Sequence, residues 1–143
     1  RQETFTVEDK DVMLNLIKNP VGFNQIVQLL SYEKEPFSLG VLLNDNPADG
    51  QDVSWIWDGD FEGLHALNAV DTAISGIRVE DLGVRMEVAG FENIKVFKTN
   101  AELIDWIRKA PTKKVNVLAT YTALLDLRKD FAKEGYLKEG MNG

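Results

Sequence analysis

The fold of this chain is constrained most by the regular alternation of short apolar runs with segments of helical periodicity. Residues 37–43 and 114–119 have the length and composition of buried strands. Between them, Val79, Leu82 and Met86 recur at the spacing of one helix face. Strands that alternate with helices in this way form βαβ units with parallel strands. The sequence therefore predicts an α/β fold, a three-layer Rossmann-like domain with a largely parallel sheet and helices on both faces.

The remaining elements are predicted from turn residues, helix caps and apolar spacing. In chain order they are strands at 3–7 and 11–17 that form a hairpin, a helix that begins at Pro20, an extended segment at 52–57, a helix near 61–67, strands at 69–74 and 94–97, a helix opened by a Thr99–Glu102 capping box, and a last helix with Leu124, Leu127 and Phe131. A length of 143 residues suits one domain over residues 1–143. Since the chain begins with Arg1 rather than methionine, we expect a fragment of a longer protein.

Composition excludes several classes of site. The chain has no cysteine, so it offers neither a disulfide nor a thiolate nucleophile. Its single histidine, His65, cannot form a two-histidine metal site, and we expect no bound metal. The net charge of -7 opposes binding to nucleic acids, whose backbone is anionic. No apolar run approaches the roughly 18 residues of a membrane span, and no secretory signal is seen. We therefore expect a cytoplasmic domain without a transmembrane segment.

One part of the chain, which we call the acidic segment (residues 43–62), carries six carboxylates and two tryptophans in twenty residues. It follows a predicted strand, and sites in open α/β sheets form in the loops beyond the carboxyl ends of the strands. A calcium loop that starts at Asp45 gains Asp49, but Pro47 and Ile56 fail at two ligand positions. The residues alone leave two interpretations open, a functional site and a solvated loop whose tryptophans pack inward.

Two other features have both a functional and a structural interpretation. The run from Lys18 to Asn24 begins a helix, and the free N–H groups of a helix start can receive an anion, although a plain helix start is the simpler interpretation. The chain has no P-loop, so it cannot hold a triphosphate by such a loop of its own. Arg78 and Arg85 can bind a carboxylate or phosphate, or can pair with the acidic segment, and the pairing is the simpler interpretation.

Four segments carry a more specific pattern. They are Asn15-Leu16-Ile17-Lys18-Asn19-Pro20 with Gly22 and Asn24, the run from Leu42 to Glu62 that includes Asp52-Val53-Ser54-Trp55-Ile56-Trp57-Asp58, Ser75-Gly76-Ile77-Arg78 with Asp81 and Arg85, and Thr120-Tyr121-Thr122. Together they resemble the C-terminal domain of the MurT family, the Mur-ligase-like subunit of lipid II isoglutaminyl synthase. Ala119 departs from this pattern, which has a proline at that position.

This resemblance implies a two-subunit amidotransferase. A glutaminase partner of the GatD type releases ammonia from glutamine with a cysteine and a histidine. The MurT subunit uses ATP and Mg²⁺ to activate the α-carboxyl of the D-glutamate in lipid II, which ammonia converts to D-isoglutamine for peptidoglycan synthesis at the inner face of the membrane. The ATP-binding central domain is not in this chain, so we expect the isolated domain to be inactive and to bind no ATP alone.

The resemblance also implies roles for individual residues. The C-terminal domain docks the glutaminase and supplies an aspartate to its Cys-His pair, a role that maps to Asp52, with Asp58 and Asp60 as alternatives. A third-member carboxylate orients the histidine and stabilises its imidazolium form. The expected partner-binding residues in the same segment are Asp49, Trp55, Trp57 and Asp58.

A nucleotide-facing role is implied for Lys18 and Asn19, because their segment is similar to the Asp-x-Ala-His-Asn-Pro segment of Mur ligases and folylpolyglutamate synthases. Here Asn15 replaces the aspartate and Lys18 replaces the histidine. Two other functions stay open as alternatives. One is a ligase domain that faces a nucleotide within its own chain, and the other is an interaction module without catalytic consequence.

Overall fold

The chain opens with an antiparallel hairpin of strands β1 (Gln2–Val7) and β2 (Lys10–Leu16), in the computed structural model, which describes residues 2–138. This confirms the predicted hairpin. The other strands are β3 (Phe37–Leu42), β4 (Thr72–Ser75), β5 (Lys95–Val96) and β6 (Lys114–Ala119). The helices are α1 (Pro20–Ser31), α2 (Phe61–Ala66), α3 (Val79–Ala89), α4 (Asn100–Arg108) and α5 (Tyr121–Lys133).

Local sequence signals explain where several helices begin and end. The side chain of Asn19 accepts a hydrogen bond from the backbone N–H of Gly22 at the start of α1, where Pro20 takes a position that needs no N–H donor. Thr99 and Glu102 form the predicted capping box at the start of α4. Gly90 ends α3 with a left-handed φ of 112°, as its position predicts.

The six strands form one sheet in the order β1-β2-β6-β3-β4-β5. β1 pairs antiparallel with β2, and every other neighbouring pair is parallel. The three central strands β6, β3 and β4 are buried almost throughout, which accounts for their continuous apolar runs. The predicted α/β fold with a largely parallel sheet is therefore confirmed.

Two hydrophobic layers cover the two faces of the sheet. On one face, α1, α2 and α3 pack against side chains of β3, and Phe23 of α1 stacks on Phe61 of α2 with ring centroids 4.3 Å apart. On the other face, α4 and α5 pack against side chains of β2 and β6. The sheet thus lies between two layers of helices, which is the predicted three-layer arrangement.

The connections after two neighbouring strands leave the sheet in opposite directions. The chain after β3 turns toward the face that carries α2, whereas the chain after β6 enters α5 on the opposite face. Such a divergence opens a crevice at the carboxyl ends of the strands, the usual place for a site in open α/β sheets. The acidic segment begins at this point.

Two predicted elements differ from the structure. Residues 52–57 are not extended, because a 3₁₀ helix spans Val53–Trp57 and the side chain of Asp52 caps it. The strand predicted at 69–74 begins later, at Thr72, and only the last residues of the predicted run join the sheet.

Over residues 2–138, no helix combines the length and the apolar character that crossing a membrane requires.

Candidate functional site

The acidic segment leaves β3 as two 3₁₀ helices, which we call the first (Pro47–Asp49) and the second (Val53–Trp57). The first is fixed to the start of α5 by Asp49, a buried carboxylate. Asp49 accepts hydrogen bonds from the backbone N–H of Thr122 at 2.7 Å, from the hydroxyl of Thr122 at 2.5 Å and from the N–H of Asn46 at 3.0 Å. These three bonds occupy the carboxylate inside the chain and set the direction in which the segment leaves the sheet.

Asn44, near the start of the acidic segment, joins the ends of three strands. Its backbone N–H donates to the Thr120 hydroxyl at 2.8 Å, and its side-chain amide donates to the Thr122 hydroxyl at 3.0 Å. Its Oδ1 accepts from the N–H of Ile77, which follows β4, at 2.8 Å. The chains that follow β3, β4 and β6 are thereby held together. The residues alone did not reveal this network, because its members are far apart in the sequence.

Asp52 lies at the exposed start of the second 3₁₀ helix. Its Oδ1 accepts a hydrogen bond from the backbone N–H of Ser54 at 2.9 Å. Bonds from the Ser54 hydroxyl and then from this N–H lower the pKa of Asp52, so its carboxylate is ionised at neutral pH. Among residues 2–138 only Ser54 donates to it, and a carboxylate has about four acceptor positions. Asp52 can therefore accept a hydrogen bond from outside.

A shallow groove runs from Asp52 to the beginning of α3. Its volume is about 270 Å³, and Trp57, Arg78 and Asp81 line it together with Asp52. Trp57 is 50% exposed, although it is one of the largest apolar side chains. Large aromatic groups at the surface are typical anchors of protein interfaces. The groove thus combines an ionised carboxylate with an exposed aromatic ring.

Arg85 of α3 holds the second 3₁₀ helix from behind. Its guanidinium donates to the backbone oxygens of Ile56 at 2.7 Å and Gly59 at 3.0 Å. It also forms a bidentate ion pair with Glu62 and lies 5.2 Å from the centroid of the Trp57 ring. The side of Trp57 that does not face solvent is therefore covered by a cation, a favourable arrangement for an aromatic face.

Arg78 links the acidic segment to the start of α3 in the same way. It donates to Asp45 at 2.9 Å and to Asp81 at 2.7 Å. The pairing of Arg78 and Arg85 with carboxylates, two of them in the acidic segment, confirms the structural interpretation of these arginines. Arg85 is buried and bonded through each of its three nitrogens, so it is not free to hold an added anion.

The other predicted site residues of the acidic segment, among them the alternative triad aspartates Asp58 and Asp60, lie in different environments. Asp58 is exposed, and within the described part of the chain no hydrogen bond or ion pair holds its carboxylate. Asp60 is exposed but caps α2 by accepting from the N–H of Gly63 at 2.9 Å. Trp55 is partly buried, with its ring centroid 6.0 Å from that of Phe23. Asp52 and Trp57 share the groove described above, whereas Asp49 points into the chain.

Lys18 and Asn19 lie at the same edge of the sheet but after β2. Lys18 is exposed, and Asn19 uses its side chain to cap α1. Asn15 is fully buried, and over residues 2–138 neither of its side-chain polar atoms has a hydrogen-bond partner. One exposed lysine and a capping asparagine do not by themselves form a nucleotide site.

The remaining candidate features do not form a site. His65 packs edge-on against Phe91 with ring centroids 5.1 Å apart. In residues 2–138 no three or more histidine, cysteine, aspartate or glutamate side chains come together in a way that could hold a metal ion.

Comparison with known proteins connects this geometry with a family. The model of the family "MurT ligase C-terminal" matches residues 16–124. The MurT subunit of lipid II isoglutaminyl synthase (glutamine-hydrolysing) from Streptococcus pneumoniae (strain ATCC BAA-255 / R6) is 40% identical over an alignment of 144 positions, which covers 99% of this chain and 32% of that protein. The MurT subunit from Staphylococcus aureus (strain COL) is 34% identical over an alignment of 111 positions, which covers 74% of this chain and 25% of that protein. The chain thus spans about a third or less of these relatives.

Solved structures show a related fold at lower identity. Folylpolyglutamate synthase from Thermotoga maritima superposes with a TM-score of 0.59 at 20% identity, covering 97% of this chain and 31% of that one. Folylpolyglutamate synthase from Mycobacterium tuberculosis, crystallised with ADP and AMPPCP, gives a TM-score of 0.59 at 17% identity, with coverages of 90% and 31%. At this identity the likeness applies to the fold alone.

Proposed function

Because this chain belongs to the MurT ligase C-terminal family, we propose that it docks a glutaminase of the GatD type and completes the catalytic triad of that glutaminase with Asp52. In this proposal it is the C-terminal domain of a lipid II isoglutaminyl synthase subunit. The longer protein amidates the D-glutamate α-carboxyl of lipid II, with ATP and Mg²⁺ bound in a domain outside this chain. Lys18 and Asn19 face that nucleotide in the proposal.

The observation that carries the proposal is the state of Asp52. Its carboxylate is exposed and ionised, and the 3₁₀ helix that it caps gives it a fixed position. A third-member carboxylate needs these properties, because it accepts an N–H from the histidine, selects the tautomer and stabilises the imidazolium. The chain has no cysteine, so the nucleophile has to come from the partner.

The two alternative aspartates meet these requirements less well. Asp60 caps α2 as Asp52 caps the second 3₁₀ helix, but it does not line the groove that contains Asp52 and Trp57. Asp58 has no hydrogen bond within the described residues that would fix its orientation. Orientation matters because the carboxylate acts by holding the imidazole in one geometry.

The docking role is distributed over the same segment. Trp57 provides the exposed aromatic anchor, Asp58 adds an unpaired surface charge, and Trp55 supports the second 3₁₀ helix through its contact with Phe23. Asp49 remains a predicted partner-binding residue. Its three internal hydrogen bonds support a role in which it shapes the docking surface from beneath.

The experiment uses the full-length subunit and its cognate glutaminase, and measures both complex formation and glutamine hydrolysis. Asp52→Asn keeps a side chain that caps helices well, so the fold should persist. We expect unchanged binding and at least a hundredfold loss of hydrolysis. Asp58→Asn is the matched comparison, a change of the same chemistry at the other end of the same 3₁₀ helix. Because Asp58 contributes to docking only, this variant should hydrolyse glutamine normally once the glutaminase is present at a saturating concentration.

The other outcomes overturn the proposal in distinct ways. Normal hydrolysis by the Asp52→Asn variant removes Asp52 from the triad, and loss in Asp58→Asn or Asp60→Asn transfers the role to that residue. If all the aspartate variants bind the glutaminase and none of them changes glutamine hydrolysis, the chain acts as a non-catalytic interaction module. Absence of any complex removes the docking function itself.

A further inference from the structure

We infer that the exposed face of α3 extends the docking surface, and that Val84 and Val88 receive an apolar patch of the glutaminase that is bordered by lysine or arginine side chains. The inference rests on the proposed function, since it assigns a second contact area and a chemistry to the same partner. It concerns a part of the chain for which neither the resemblance nor the acidic segment gives a role.

The position of this face relative to Asp52 is the first argument. Asp81, in the first turn of α3, lines the groove that contains Asp52 and Trp57. Val84 and Val88 follow three and seven residues later, so they continue the same side of the helix away from the groove. A partner whose histidine reaches Asp52 therefore meets the end of α3 from which this side of the helix begins.

The exposure of these valines is the second argument. Val84 is 55% exposed and Val88 is 62% exposed, and Trp57, which lies against Arg85 of the same helix, is 50% exposed. The inner side of α3 already supplies Leu82, Met86 and Ala89 to the core, so the fold does not use the two valines. Three large apolar side chains in one area of a surface are typical of a contact site for another protein.

The charge around the stripe identifies the chemistry of the partner. Glu80 and Glu87 are exposed on α3 beside the valines. Arg85, the one cation within α3, is buried against Glu62, and Arg78 at its start is paired with Asp45 and Asp81. The border of the apolar stripe is thus anionic, which favours a cationic partner and disfavours a second copy of this chain, whose net charge is -7.

The test measures the dissociation constant of the full-length subunit with its cognate glutaminase. Val84→Glu and Val88→Glu place a charge in the stripe, and each should weaken binding at least tenfold. Val70→Glu is the matched control, because Val70 is also 55% exposed but precedes β4 at the opposite end of the sheet. It should change the dissociation constant less than twofold. Circular dichroism of each variant verifies the fold.

Two further variants separate the apolar from the charged part. Val88→Thr keeps the shape of the side chain and should weaken binding about threefold, whereas Glu87→Lys should weaken binding and reduce its dependence on salt. Normal binding of Val84→Glu and Val88→Glu overturns this inference. If Asp52→Asn then still abolishes hydrolysis, the proposed function stands without it. Self-association that Val84→Glu abolishes would overturn the inference in favour of a second copy.

Discussion

The buried guanidinium of Arg85 holds the surface carboxylate of Glu62 in a bidentate ion pair, with N···O distances of 2.7 and 2.8 Å. Arg85 is 3% exposed, and its other hydrogen bonds go to backbone oxygens of Ile56 and Gly59. A charge this deeply buried is tolerated only when its donors are satisfied. The ion pair therefore couples α3, the second 3₁₀ helix and α2 into one unit that carries Asp52.

Replacing Arg85 tests the importance of this unit. Arg85→Met keeps much of the apolar stem but leaves the oxygens of Ile56 and Gly59 without their donor, each at a cost of about 1–3 kcal/mol. We expect the free energy of unfolding to fall by about 3 kcal/mol. Urea denaturation measures the change. Glu62→Gln, which removes only the exposed partner, should cost about 1 kcal/mol, and equal losses for the two variants would contradict this account.

The same ion pair predicts a dependence of stability on pH. The hydrogen bonds from Arg85 lower the pKa of Glu62 from 4.5 to about 2 in the folded chain. Because the unfolded chain binds the proton more readily, this stabilisation is complete above pH 4.5 and is lost as the pH falls toward 2. The stability difference between the natural chain and the Glu62→Gln variant should therefore shrink over this window. A difference that stays constant from pH 7 to pH 2 would exclude the pair as its source.

How far the sequence predicts this fold depends on whether a signal is local. The capping box at Thr99, the C-cap at Gly90 and the apolar spacing of α3 lie within single elements, and each predicts its element correctly. At residues 52–57, the β-forming residues Trp55, Ile56 and Trp57 predict an extended segment. The Asp52 cap and the burial of Ile56 favour a 3₁₀ helix instead, so tertiary contacts override the local preference.

In the candidate site too, local signals are predicted from the sequence and long-range contacts are not. Pairing of Arg78 and Arg85 with carboxylates follows from charge alone, and the structure identifies the partners as Asp45, Asp81 and Glu62. The network of Asn44 with Thr120 and Thr122 joins residues more than 70 positions apart, so no local pattern could reveal it. Burial of Asp49 escaped prediction for the same reason, since its partner lies in α5.

Asp49 offers a direct test of that network. Asp49→Ala leaves the N–H and hydroxyl of Thr122 without their acceptor and should lower the free energy of unfolding by about 2 kcal/mol. Asp58→Ala removes a carboxylate from the same acidic segment, where no internal bond holds it, and should change stability by less than about 0.5 kcal/mol. Thermal unfolding of both variants provides the comparison. Equal stability of the two would mean that the bonds of Asp49 contribute nothing to the folded chain.

Substitutions at Gly76 and Gly50 distinguish two energetic costs of adding a side chain where φ is positive, namely backbone strain and steric overlap. Both have a positive φ, of 108° and 84°. A Cβ on Gly76 would lie 2.4 Å from the backbone oxygen of Leu43, whereas one on Gly50 meets nothing within 4 Å. Gly50→Ala should therefore cost only the conformational strain, about 1 kcal/mol. Gly76→Ala also pushes β4 away from the chain that follows β3, and should cost more than about 3 kcal/mol. Urea unfolding measures the loss of stability of both variants.

The Gly76 substitution should also affect docking. Since the displaced backbone carries the hydrogen bond from the N–H of Ile77 to Asn44, the Gly76→Ala variant should lose glutaminase docking, which the Gly50→Ala variant retains.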